Sequence, residues 1–141
     1  MNIVKYLNQP HELDEKIERK ILQIKRLKED LYGRGICYEN TGHSESPASD
    51  AISRAIGKIV DYEHEVDLLI DELVTLKIEI GHKISMMDSI KHQHVLERKY
   101  LYFDSNELLA QRFKCSKNHV YKLVREAHQE FEETLIKTDN S

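Results

Sequence analysis

Between residues 52 and 87 the apolar side chains Ile52, Ala55, Ile59, Tyr62, Val66, Leu69, Leu73, Leu76, Ile80, Ile84 and Met87 recur at steps of 3, 4, 3, 4, 3, 4, 3, 4, 4 and 3. A strand cannot gather such a set on one face, because its side chains alternate with period two. The spacing predicts a helix of about 37 residues, roughly 55 Å long, with a coiled-coil-like seam that slips once near Gly81. Ser49 or Asp50 can cap its start. A shorter helix is expected over residues 11–32, where Leu13, Ile17, Ile21, Ile24, Leu27 and Leu31 follow steps of 4, 4, 3, 3 and 4. Pro10 and Gly33 bracket it, and residues 1–10 read as a lead-in. Packed antiparallel, the two make a helical hairpin. The shorter helix can cover only part of the longer seam, so the remainder needs the rest of the chain, a second copy or another protein. A homodimer is the simplest expectation.

Residues 33–50 hold Gly33, Gly35, Asn40, Thr41, Gly42, Ser44, Ser46, Pro47 and Ser49, and read as a flexible connection. The whole chain has only five Gly and two Pro, with 33% charged residues, which favours long amphipathic helices over sheets.

The charge is unevenly placed. The net value is −4, yet residues 91–125 hold eight Lys or Arg against three acids, and the rest of the chain thirteen against twenty-two. An acidic body with one basic segment suits local attraction to a polyanion without general adhesion. Asp88-Ser89 offers a break and a new cap. Residues 90–103 then supply Val95, Leu96, Tyr100, Leu101 and Phe103 for a first helix, with Arg98 and Lys99 in reach of phosphate. Ser105 can cap a short helix containing Leu108, Leu109 and Ala110. Phe113-Lys114-Cys115 forms a break, and Ser116 can cap a further helix with Val120, Leu123, Val124, Ala127 and Phe131 on one side. Helix, tight turn and capped helix is the sequence form of a helix-turn-helix.

Lys117, Asn118, Tyr121, Lys122 and Arg125 fall away from that apolar side. They offer cations for phosphate or guanine, an amide for adenine and an aromatic ring. Lys117, Asn118, Tyr121 and Lys122 are expected at the major groove, with Arg125, Arg112 and Lys114 on backbone phosphates. His119, beside the turn, is suited either to a phosphate or to packing on Phe113.

Ser105-x-Glu107-x-Leu109-Ala110 with Ser116-Lys117-Asn118-x-Val120-x-x-Leu123 and Ala127 resembles the helix-turn-helix of sigma-factor region 4. With Ser46-Pro47-Ala48-Ser49-Asp50-Ala51, Lys58-Ile59-Val60-Asp61-Tyr62-Glu63 and Arg98-Lys99-Tyr100-Leu101, the chain resembles the small RinA-like or ArpU-like late-gene regulators of phages of low-GC Gram-positive bacteria. The resemblance implies activation of phage late promoters in the cytoplasm of a bacterial host, with RNA polymerase as a second partner. It also exposes a departure, since Lys114 stands where the sigma-type turn usually has Gly.

The expected architecture is therefore all-α: a helical hairpin body over residues 1–87, a three-helix DNA-binding unit over 88–136 and a polar tail over 137–141. A fragment from residue 88 onward is expected to fold weakly without the body. Double-stranded DNA is the expected ligand, with no cofactor, no metal, no catalytic residue and no membrane partner. No glycine-rich phosphate loop or G-x-S-x-G elbow occurs, and His92-Gln93-His94 has the wrong spacing for a helical metal pair. Cys37 and Cys115 form no C-x-x-C motif, which suits a reducing compartment. The rival expectation is a protein-interaction factor whose helical seam grips a repressor or polymerase subunit.

Overall fold

The computed structural model describes residues 2–33 and 47–140. They form α1 (Ile3–Leu7), α2 (Gln9–Gly33), α3 (Pro47–Ser85), α4 (Ile90–Leu96), a π-helical turn (Glu97–Leu101), α5 (Asn106–Phe113) and α6 (Lys117–Asp139), and no strand occurs among them. The fold is all-α. The connection assigned from sequence to residues 33–50 lies mostly outside the described residues. Its last part, 47–50, is already helical, so Ser49 and Asp50 sit in the first turn of α3 and not before it. No described helix is long and apolar enough to cross a membrane.

Two compact units divide the chain: Met1–Leu13 with Leu73–Ser141, and Asp14–Glu72. In the second, Ile17 and Ile24 of α2 and Ile59 and Val66 of α3 are buried. Lys20 reaches Glu65 at 3.0 Å, and Lys28 reaches Glu63 at 3.7 Å. The Lys20 amine also lies 4.3 Å from the centre of the Tyr62 ring.

The first unit differs from the sequence expectation of a boundary at residues 87 and 88. Leu7, Ile80, Ile84 and Met87 belong to one buried cluster with Val95, Leu96, Tyr100, Leu109, Val120, Leu123, Val124, Ala127 and Phe131. The physical reason is area: the helices after residue 88 are too short to bury their apolar faces on one another alone. Residues 1–10 are likewise not a lead-in. Asn2 caps α1 by accepting from the Lys5 amide at 3.1 Å, and Tyr6 stacks on Phe131 with ring centres 6.4 Å apart. Pro10 stands in the first turn of α2, where its missing N–H costs no helical bond, and it is fully buried.

The seam over residues 52–87 is covered in part within the chain itself. Ile59, Val66, Leu73, Ile80, Ile84 and Met87 are buried within the chain, and Ile52, Ala55, Tyr62, Leu69 and Leu76 are half-buried. The tail also differs, because α6 continues to Asp139. Thr134 and Thr138 return hydrogen bonds to the carbonyls of Glu130 and Thr134, both at 2.8 Å.

Candidate nucleic-acid interface

Three serines start the three helical segments of the basic region. Ser89, Ser105 and Ser116 accept from the amides of His92, Leu108 and His119 at 3.2, 3.2 and 3.1 Å. Each cap satisfies one amide that the first helical turn leaves without a partner. Glu130 reinforces the first of them from across the unit. Its carboxylate accepts from the Asp88 and Ser89 amides at 2.9 and 3.1 Å and lies 2.6 Å from His92 Nδ1. Burial alone would push this carboxyl up, but the bonds from His92, Ser89 and Asp88 outweigh it and hold the group below its ordinary value.

The turn between α5 and α6 closes by a Schellman arrangement. The Cys115 amide donates to the Ala110 carbonyl at 3.0 Å, and the Lys114 amide to the Gln111 carbonyl at 3.3 Å. This requires Lys114 in the left-handed region, and its φ and ψ are 52° and 51°. The position usually filled by Gly thus keeps its left-handed backbone despite carrying a side chain. Ala110, Phe113 and Cys115 pack on the buried cluster behind the turn. The ring against Phe113 is His94, at 5.1 Å between centres, whereas His119 is exposed, which sets aside the packing role considered for His119.

The buried Val120, Leu123, Val124, Ala127 and Phe131 fix the rotation of α6. Asn118, Lys122 and Arg125, spaced by four and three, lie on the opposite line, and all three are exposed. Tyr121 flanks that line with half its surface exposed. Among the described residues no ion pair engages Lys114, Lys122 or Arg125. Past Arg125 the charge reverses, with Glu126, Glu130, Glu132 and Glu133 following. Positive charge is therefore concentrated at the turn and in the first half of α6, with Lys137 a lone later cation in its last turn.

Other basic residues nominated from sequence are already occupied. Lys117 Nζ lies 2.6 Å from Glu107 Oε1, in the first turn of α5. Their hydrogen bond holds the Lys117 amine above its ordinary value and the Glu107 carboxyl below. Arg112 Nε lies 3.0 Å from Asp104 Oδ2, and Arg98 Nε lies 2.8 Å from the same oxygen. Arg98 also covers the Tyr102 ring at 4.5 Å. Asp104 is buried, so this carboxylate depends on the two guanidinium groups for charge compensation. It clamps the segment before α5, where Phe103 adopts φ 62°. Lys99 donates to Asn106 Oδ1 at 3.2 Å, and burial lowers its pKa. In the described arrangement Arg98, Lys99 and Arg112 thus each have a partner within the chain. Asp104 and Glu107 are the residues the sequence reading missed as partners.

Beneath this surface Tyr100, on the π-helical turn, places its hydroxyl 2.6 Å from His128 Nε2. Burial pushes the Tyr100 phenol up to about 12 and lowers His128, with Lys99 adding to the latter. No three His, Cys, Asp or Glu among the described residues gather in an arrangement able to hold a metal ion. Comparison with protein-family models, curated proteins and solved structures finds no match to this chain.

Proposed function

We propose that the chain is a DNA-binding transcriptional regulator that reads duplex DNA with the first half of α6. One observation supports this above all. Asn118, Lys122 and Arg125 form an exposed line directly opposite the buried face of α6, beside the exposed Lys114 of the turn, and acids follow immediately after. A helix laid in a major groove uses its N-terminal residues on base edges and nearby cations on phosphates. Asn118 and Lys122 are assigned to base edges, Tyr121 to their flank, and Lys114 and Arg125 to phosphates.

The two helices joined by the Schellman turn serve as a helix-turn-helix in this reading. Lys117 and Arg112 begin from ion pairs with Glu107 and Asp104, so they leave the primary contact set. The resemblance to sigma region 4 and to phage late-gene regulators extends the proposal to promoter activation with RNA polymerase. A homodimer through the half-buried positions of the 52–87 seam is not needed for this reading.

The test is selection of bound sequences from a random duplex pool by the full-length protein, followed by variants on the selected site. A preferred site should emerge, and Asn118→Ala and Lys122→Ala should each weaken it by about 1–3 kcal/mol. Absence of any enriched sequence, or variants that bind the site as the parent does, would overturn the reading.

A further inference from the structure

α3 carries a second seam. In the Asp14–Glu72 unit, Ile59 and Val66 turn inward, while Ile56, Val60, Glu63, Asp67 and Ile70 follow one another at steps of 4, 3, 4 and 3 on a different line of the same helix. Ile56, Val60 and Ile70 are 42%, 60% and 41% exposed, large fractions for aliphatic side chains placed in a row. The spacing is that of a helix made to pair with another helix. Its middle, however, is acidic. Asp67 has no ion-pair partner among the described residues, and Glu63 is met only at 3.7 Å by Lys28, with both side chains about half exposed.

The acids decide what can cover this strip. A parallel second copy in register sets Glu63 on Glu63 and Asp67 on Asp67. An antiparallel copy centred on Glu63 sets Asp67 against Val60 and again opposes the two Glu63 carboxylates. Either arrangement desolvates like charges or buries a carboxylate on an aliphatic side chain. A helix with Lys or Arg at the two central seam positions and aliphatic residues at the ends meets no such penalty. Opposite charges then fix register as well as partner.

We propose that the 56–70 face of α3 is a docking strip for a basic amphipathic helix of another protein. The partner places aliphatic side chains over Ile56, Val60 and Ile70 and cations over Glu63 and Asp67. The strip is short, so the complex is weak and exchanging, in the range of roughly tens of micromolar. The proposal does not rest on DNA binding, and no DNA enters its test.

Two synthetic helical peptides of about 20 residues serve as probes. Both carry leucine at the outer seam positions; one has lysine and the other glutamate at the two central positions. Binding to the full-length protein is followed by fluorescence anisotropy. The lysine peptide should bind and weaken as salt rises, while the glutamate peptide should bind about tenfold less well or not at all. Val60→Asp should abolish binding without lowering amide protection in α2 and α3, since Val60 is exposed. The double variant Glu63→Lys/Asp67→Lys should reverse the preference between the two peptides, which a merely damaged fold cannot do. Equal binding of both peptides, binding of neither, or a homodimer of the parent that Val60→Asp dissociates would each overturn the proposal.

Discussion

Replacing Leu7 with alanine should destabilise the proposed DNA-binding region without touching any residue of its surface. Leu7 is fully buried in the cluster that includes Leu109, Val120, Leu123 and Phe131, and Ile3 and Tyr6 pack beside it. A buried Leu→Ala change loses the transfer energy of the deleted carbons and leaves a cavity, together about 2–5 kcal/mol. The upper part of that range is a large share of the roughly 5–15 kcal/mol that holds a typical domain. Because the chain has two compact units, one melting curve would mix them. Amide hydrogen exchange separates them, and the amides of α5 and α6 are the ones to follow. Leu7→Ala should reduce their protection by about thirtyfold or more, the lower bound corresponding to about 2 kcal/mol. Leu7→Met should reduce it far less, as a swap of similar volume. A fragment starting at residue 88 lacks Leu7, Ile80, Ile84 and Met87 together and should show no protected core, contrary to the sequence expectation. If Leu7→Ala leaves α5 and α6 within about threefold of the parent, α1 is not part of their core and the reasoning fails.

Three further outcomes follow from individual contacts. Lys114→Gly should stabilise the turn by about 0.5–1 kcal/mol in chemical denaturation, because φ 52° is unfavourable for a residue with a Cβ. The same variant should bind duplex DNA more weakly through loss of one cation. Glu107→Gln should release Lys117, steepening the salt dependence of DNA binding by about one unit, whereas Lys117→Ala alone should leave the slope unchanged. His128 should make unfolding of the first unit pH-dependent. Burial, then Lys99, depress its folded-state pKa below the ordinary 6.5, so the unfolded chain takes up the proton first as pH falls. The stabilisation is present above that value and lost below it, and His128→Gln should remove this part of the loss in denaturation curves at a series of pH values.

The helical class, the seam of α3 and the three serine caps were legible because each is set by local spacing within a turn or two. The outward line of α6 was legible for the same reason, since Val120, Leu123, Val124 and Ala127 fix its opposite face. Ion pairing was not. Glu107 and Lys117 lie ten positions apart on different helices, and nothing in their spacing brings a carboxylate to 2.6 Å from an amine. Asp104 counted only as one acid in a basic segment, although burial and two guanidinium groups make it an internal clamp. α1 escaped notice because five residues are too few to show a period and Pro10 suggested a boundary, despite the Asn2 cap. The division into units was hidden for a related reason: a continuous seam in α3 carries no mark where its burial passes from one cluster to the other.

The most direct test of DNA reading by α6 is the slope of affinity for duplex DNA against salt, measured on the full-length protein and Arg125→Ala. In the proposed reading Lys114 and Arg125 contact two phosphates, so the logarithm of the binding constant should fall with the logarithm of salt at a slope of about −2. Arg125→Ala should make that slope shallower by about one unit while weakening selected and random duplexes alike. A parent protein that binds no duplex at low salt, or an Arg125→Ala variant with an unchanged slope, would contradict the assignment of this helix to DNA.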